Sequence, residues 1–486
     1  MFRSRWGRAL LGVSLLAALA AGSALVVRRA SAATLTVCST CAYRSINDAL
    51  AAAAPGDTVR ALAGTYGPNE PGATTPDTVI RISKPVTVVG AGAGVSIIND
   101  APANQGTATA GVIVITTPSV AGDISVVGFT VEGAIVNDSN DDGILLTVND
   151  TRAGDTVSIH DNLFYGDTTL DPQLLADQTD AIYVYGSAAA TQINRNAFRG
   201  VFRAALVEGN PGPVSFSNND VNLHALYDLS TTPPTLAYWA EGLLFLGDSG
   251  AVISSAQTVS GNTFERYAGM GVGVDAGYCC GLVGAYTDVN ITANTFNNLG
   301  VAASQSSTPD DADIYLHGFG TSNGAVTSTI SGVTIRHNTF NLSSDTGHGY
   351  AVRLNGSIGA NNVISQNALR GAGAAPPPAG VLFTNPSSSA AVSVNANLIT
   401  GFVAGLRSDA LPAGAQVSAR QNCIAGNSAA GVTVASGATL MAANNWWGAA
   451  SGPYNTSTNP TGTGDAVSDG VIYTPYLTKA PAACSY

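Results

Sequence analysis

Lysine is almost missing from this sequence: Lys84 and Lys479 are the only two among 486 residues. Charged residues make up 11% of the chain, against roughly 25% in an average soluble domain. Five of the arginines (Arg3, Arg5, Arg8, Arg28, Arg29) fall in the first 32 residues. The 454 residues that follow carry 15 basic and 32 acidic side chains, a net of −17. So acidic a surface excludes a nucleic-acid partner, because phosphate repels it. Histidine is scarce and scattered at 160, 224, 317, 337 and 348, with no metal-ligand spacing, so no zinc site is expected. A hydrophobic fraction of 45% excludes wholesale disorder. The 55 Gly and 22 Pro are too many for a mostly helical protein, and 35 Asn point to turns.

No apolar run beyond residue 27 is long enough to span a bilayer. The first 32 residues have the layout of a secretory signal: a basic start, an apolar stretch from Ala9 to Val27, and Ala30-Ser31-Ala32 as a small-residue cleavage site. The expected location is secreted or cell-surface, with membrane attachment only if the signal stays uncleaved. Export makes the six cysteines readable as disulfides. Cys38 and Cys41 are close enough to bridge locally, adjacent Cys279 and Cys280 would be strained, and Cys423 with Cys484 is a further pairing that spacing leaves open.

A ten-residue pattern, apolar-x-apolar-x-x-Asn-x-apolar, recurs from 157 to the C-terminus, as in VSIHDNLFYG, VNITANTFNN and VSARQNCIAG. Its asparagines are Asn162, Asn196, Asn219, Asn262, Asn294, Asn338, Asn367, Asn397, Asn422 and Asn445, and Phe129 stands where an earlier one would sit. Between the blocks lies a second apolar strand, as in DDGILLTV, TDAIYVYG and EGLLFLG. Such a unit cannot bury its own apolar face, but stacked copies can. The expected fold is all-β: a right-handed, single-stranded parallel β-helix of roughly 11–13 coils with an N-terminal helical cap. Each Asn is expected to take the left-handed backbone of the turn itself and to bond its counterparts in adjacent coils. Residues 43–54 (YRSINDALAAAA) read as the capping helix, with Ile46, Ala49, Leu50 and Ala53 facing in.

The segments YRSINDALAAAAPGDTVRALAGTY (43–66) and KPVTVVGAGAGVSII (84–98), with the closing NNWWGAASGPYN (444–455), resemble bacterial right-handed parallel β-helix proteins of the pectin-lyase-like superfamily. The resemblance implies a signal at 1–32, an N-terminal cap at 33–66, coils at 67–438, and a last coil with C-terminal cap at 439–486. It implies polysaccharide-related roles only broadly, because that superfamily includes lyases, hydrolases, epimerases and adhesins. The hydrolase motifs do not line up. Asp141-Asp142 precedes Thr179-Asp180, Gly347-His348-Gly349 lies far beyond, and Arg353 in AVRLN is a poor substitute for Arg-Ile-Lys.

Aligning the second strands on Ile144, Ile182, Leu206 and Leu243 places Asp142, Asp180, Ala204 and Glu241 in one column, with Arg203 beside it. Rungs ~4.8 Å apart would make Asp142 and Asp180 neighbours. Two carboxylates so close ionise together only at a cost, and a raised acid beside an ionised partner is what glycoside hydrolysis uses. The candidate catalytic set is therefore Asp142, Asp180 and Glu241 with Arg203 as charge partner. No cofactor is required by any motif. The same carboxylates could instead hold calcium, with Asp138, Asp141 and Asp142 as metal ligands and Asn140 adding oxygen, and ordinary turn chemistry before Gly also accounts for them. Tyr238 and Trp239, at the end of the insertion 222–240, are the candidate sugar-binding platform. Two readings stand: a secreted β-helix that binds or processes extracellular polysaccharide, and a non-catalytic surface or adhesion rod.

Overall fold

Short strands with alternating apolar residues need a second layer, and in the computed structural model each coil supplies it to the next. The structure describes residues 31–67, 72–74, 79–99, 111–116, 120–132, 143–149, 151–166, 179–209, 212–223, 227–228, 235–236, 240–247, 252–267, 269–276, 284–298, 312–318, 329–343, 349–373 and 376–486. Three long parallel sheets dominate it, of 15, 12 and 12 strands. One coil contributes, for example, Thr156–His160 to the first sheet, Leu163–Tyr165 to the second and Thr179–Tyr185 to the third. Strands of successive coils pair in parallel register, as in Val157↔Thr191 and Phe164↔Phe198. The fold is the parallel β-helix, with one α-helix among the described residues.

That helix, Ile46–Ala52, is shorter than the sequence pattern suggested. Ser45 caps it by accepting from the Asp48 amide, and Ile46, Ala49 and Leu50 are buried. Lys84, one of the two lysines, donates to the carbonyls of Leu50, Ala51 and Ala53, satisfying the helix C-terminus.

The turn from first to second sheet is built by the asparagines. Each ladder Asn from Asn162 to Asn422 donates from its backbone N and its Nδ2 to Oδ1 of the next, as Asn338 does to Asn367 at 2.9 and 3.1 Å, and its Nδ2 also reaches a backbone carbonyl, while Asn445 ends the ladder with its Nδ2 on the carbonyls of Ala419 and Ala442. The left-handed residue, however, is the one before each Asn: Asp161, Arg195, Asn218, Gly261, Ala293, His337, Gln366, Ala396, Gln421 and Asn444 have φ between 52° and 66°. That residue bends the chain and frees the Asn to spend its whole amide on the ladder. Phe129 occupies the head of the column, and its N–H donates to Asn162.

Two positions after the ladder Asn, aromatic rings stack through the core. Phe264, Phe296 and Phe340 lie 5.1 and 4.9 Å apart at 5°. Where Val221 interrupts that column, Phe216 from the first sheet bridges Phe198 and Phe264. Trp447, fully buried, takes the last such position. Disulfides join Cys38 to Cys41 and Cys423 to Cys484; Cys279, Cys280 and the signal stretch 1–30 lie outside the described residues.

Candidate functional site

The ladder turn has one length throughout, so insertions gather elsewhere. Residues 166–178, 223–240 and 299–311 enter the third sheet, and residues 247–256, 276–288 and 319–332 leave it. Variable segments on a rigid scaffold are where binding residues concentrate. Both ends of the third-sheet strands are thus where the chain varies in length, which makes the outer face of that sheet the place to look.

In that sheet the strands turn two successive residues inward. Ala181 with Ile182, and Ala204 with Ala205, are fully buried in the main core. The residues on either side of each pair therefore point outward. This places Asp180, Arg203 and Glu241 in one outer column and Tyr183, Leu206 and Leu244 in the next, the latter two in a separate outer apolar cluster.

The register corrects the sequence alignment. Asp180 pairs with Ile144 on one side and Arg203 on the other, not with Asp142 or Ala204. Glu241 lies one rung beyond Arg203. Arg203 Nη1 reaches Asp180 Oδ1 at 3.0 Å and Oδ2 at 3.2 Å, and its Nε reaches Glu241 Oε2 at 2.8 Å. All three side chains are buried, and Arg203 also lies over the Phe202 ring at 5.0 Å. Each acid therefore faces a cation rather than the other acid. Asp138, Asn140, Asp141, Asp142, Tyr238 and Trp239 lie outside the described residues. Among the described residues no group of three or more His, Cys, Asp or Glu stands close enough to hold a metal.

A second constellation lies further along the same face, and sequence reasoning missed it. Gly273, Tyr315 and Arg353 follow one another in the middle column, and Asp275, His317 and Asn355 in the next. His317 Nδ1 pairs with Asp275 Oδ2 at 3.1 Å, and its ring stacks on Tyr315 at 5.4 Å and 12°. Asn355 Nδ2 donates to the Tyr315 hydroxyl at 3.0 Å. Arg353 lies over the rings of Tyr315 and Tyr350. The buried Tyr315 is thus a base plate with an imidazole stacked on it and a guanidinium over its face. At the other end, Tyr183 stacks on the exposed Tyr185 and donates to Glu208 at 2.7 Å. Burial, then Glu208, pushes the Tyr183 phenol well above its ordinary range, so it stays a donor. The one signal in the sequence was a pair of ring-bearing residues two apart in ADIYLHG, the spacing that puts both on one strand face.

No family model matches this chain. No curated protein matches it either. Among solved structures it is similar to the catalytic unit of a thermostable GH87 alpha-1,3-glucanase from Streptomyces thermodiastaticus strain HF3-3, with 16% identity, 91% of this chain and 67% of that one covered, and a TM-score of 0.48. It is similar to an alginate lyase from Paenibacillus sp. str. FPU-7, with 13% identity, 90% and 99% covered, and a TM-score of 0.37. The A-module of a mannuronan C-5 epimerase from Azotobacter vinelandii gives 15% identity, 90% and 92% covered, and a TM-score of 0.29. The chemistry of the site is accordingly read from its own residues. A row of Tyr185, Glu208, Leu246, Asp275, His317 and Asn355 runs over successive rungs, about 24 Å at the usual strand spacing. It offers ring faces, hydrogen-bonding groups and one apolar position, a surface suited to a long, hydroxyl-rich ligand.

Proposed function

We propose that the chain is an exported β-helix protein that binds or processes an extracellular polysaccharide along the outer face of the third sheet. The observation that carries this reading is the aromatic and hydrogen-bonding row from Tyr185 to Asn355, bordered by insertions at both edges of that sheet. Sugar rings pair an apolar C–H face with a polar rim, and flat rings beside carboxylates and amides answer both. A repeating scaffold presents these groups at a repeating spacing, which suits a polymer.

The test is binding of the purified protein to a panel of neutral, carboxylated and sulfated polysaccharides, with calcium and then with a chelator. Tyr185→Ala and His317→Gln should each weaken binding about tenfold with little change in melting temperature, since neither side chain sits in the core. Binding by no member of the panel, or variants that bind as the parent does, would overturn the proposal. Calcium dependence of binding would favour Asp138, Asp141 and Asp142 as ligands.

The non-catalytic reading, a surface or adhesion rod, draws on Arg203, which ties up both Asp180 and Glu241. New reducing ends in the same assay would mean hydrolysis, and reducing ends with the ultraviolet absorbance of unsaturated uronate would mean elimination. Binding without either product would favour the rod.

A further inference from the structure

Four arginines stand on the outer face of the third sheet, and beyond the exposed Arg81 they differ in company. Arg203 has two carboxylates, and Arg407 reaches Asp409 Oδ1 at 2.6 Å. Arg353 has none: among the described residues it makes no ion pair and no hydrogen bond, and its buried Nε is left without an acceptor. Its guanidinium instead lies over two rings, 5.4 Å from the Tyr315 centroid and 5.8 Å from that of Tyr350. What sets Arg353 apart from other arginines without an acid, such as the exposed Arg60 and Arg81, is that its Nε is buried.

The neighbours sharpen it. Leu382 is the register partner of Arg353 in the next rung, and Tyr315 in the previous one. These surroundings displace water and strengthen whatever charge interaction the guanidinium makes. Thr384, two residues beyond Leu382 and paired with Asn355, carries a second orphan, a buried Oγ1 without a partner among the described residues. A forked donor and the Asn355 amide thus stand on one face, with the cation over two aromatic rings.

We propose that Arg353 anchors an anionic substituent of the bound glycan, a carboxylate or a sulfate ester, so that the groove selects charged over neutral polysaccharides. The inference rests on the glycan-binding reading of this face. A planar guanidinium matches two oxygens of either group, and a flat, pre-positioned one loses little freedom on binding. The overall acidity of the protein does not oppose this, because the contact is local and the long-range repulsion is screened beyond about 8 Å in physiological salt.

The experiment compares glycans that differ only in charge: polygalacturonate against its methyl ester, and chondroitin sulfate against chondroitin. Affinity is measured for the parent, Arg353→Gln and Arg353→Lys. The charged member of one pair should bind about tenfold or more tightly than its counterpart, and which pair shows the preference distinguishes carboxylate from sulfate. Arg353→Gln should bring the charged member down to the level of its counterpart and flatten the salt dependence, leaving the counterpart unaffected. Arg353→Lys should restore part of the preference. Melting temperatures should barely move, since Arg353 has no hydrogen bond within the described fold to lose. A preference that survives Arg353→Gln, or equal binding of charged and uncharged members, overturns the inference while the glycan reading stands. Binding of none of the four by the parent overturns both.

Discussion

Arg203 donates from Nε to Glu241 Oε2 at 2.8 Å across one rung of the third sheet, and both side chains are buried. The same guanidinium reaches Asp180 one rung the other way. Such a chain of charges owes its place to mutual compensation, because an isolated carboxylate in that position would be poorly solvated.

Removing the shared cation is therefore expected to be costly. Arg203→Met leaves two buried carboxylates without their partner and should lower unfolding stability by about 3–5 kcal/mol. Replacing all three residues by apolar ones of similar size should recover most of that loss, because the acids leave with the cation. Urea titrations of the single and triple variants decide it. A single variant within 1 kcal/mol of the parent would mean that water already screens the two acids. Asp180→Asn should lower the melting temperature as well, because it removes one of the two charges that compensate the buried Arg203.

The ladder makes a separate prediction. Asn338 accepts from the backbone and side chain of Asn294, and donates to Asn367 and to the Ile291 carbonyl. In Asn338→Ala the Asn294 amides and the Ile291 carbonyl lose their partner in a dry turn, at about 1–3 kcal/mol for each buried group left unsatisfied. Asn338→Asp keeps the acceptor but loses the donor and introduces a buried charge, so it should not rescue. Hydrogen exchange of the Asn294 amide is the direct readout, and protection equal to the parent's in the Ala variant would refute the assignment.

How much of this was legible beforehand follows from periodicity. The asparagine column could be read because one polar residue recurs at a fixed place in an apolar block. So could the helical cap, from Ile46, Ala49 and Leu50. The register of the third sheet could not. RAALVE and EGLLFL are apolar on both faces, so period two leaves no mark. Two successive inward residues, Ala204 and Ala205, then shift the phase by one and bring Arg203 into the column assigned to Ala204. Arg353 and His317 were hidden for a different reason. A single polar residue in a strand has no motif, and the partners that matter, Tyr315 for Arg353 and Asp275 for His317, come from other segments of the chain.

An exposed cluster at the ladder corner should give the stability a sharp acid edge. Arg195 Nε and Nη2 hold Asp161 at 2.8 and 2.7 Å, and His160 Nδ1 adds a contact at 2.7 Å. The Arg195 hydrogen bonds first, against partial burial, and then His160 hold the Asp161 carboxyl down to about 2. A depressed folded value means stability that is present above the ordinary carboxylate range and is lost as pH falls from about 3.8 to about 2. Because Asp161 is well exposed, solvent limits the effect to about 0.5–1 kcal/mol. Arg195→Gln should remove that increment above pH 4 and leave stability near pH 2 unchanged. A uniform loss at both pH values would instead mean that Arg195 acts by packing.

The two disulfides should differ in weight. Cys38 and Cys41 are 3 residues apart, whereas Cys423 and Cys484 are separated by 61. Cross-linking restricts the unfolded chain more when the closed loop is longer, which gives about 2 kcal/mol for the short loop and about 4 kcal/mol for the long one. The long bridge also ties the C-terminal segment to a small cluster of Leu398, Cys423 and Ala483 at the end of the solenoid. There the last coil has no successor to cover it, and an uncovered end exposes strand edges. Cys423→Ser/Cys484→Ser should therefore unfold at lower urea than Cys38→Ser/Cys41→Ser. It should also show early loss of hydrogen-exchange protection in the last coil, near Leu440 and Trp447, while the helix at Ile46–Ala52 stays protected. Equal destabilisation by the two pairs, with no early opening at the C-terminal end, would show that the cap holds by packing alone.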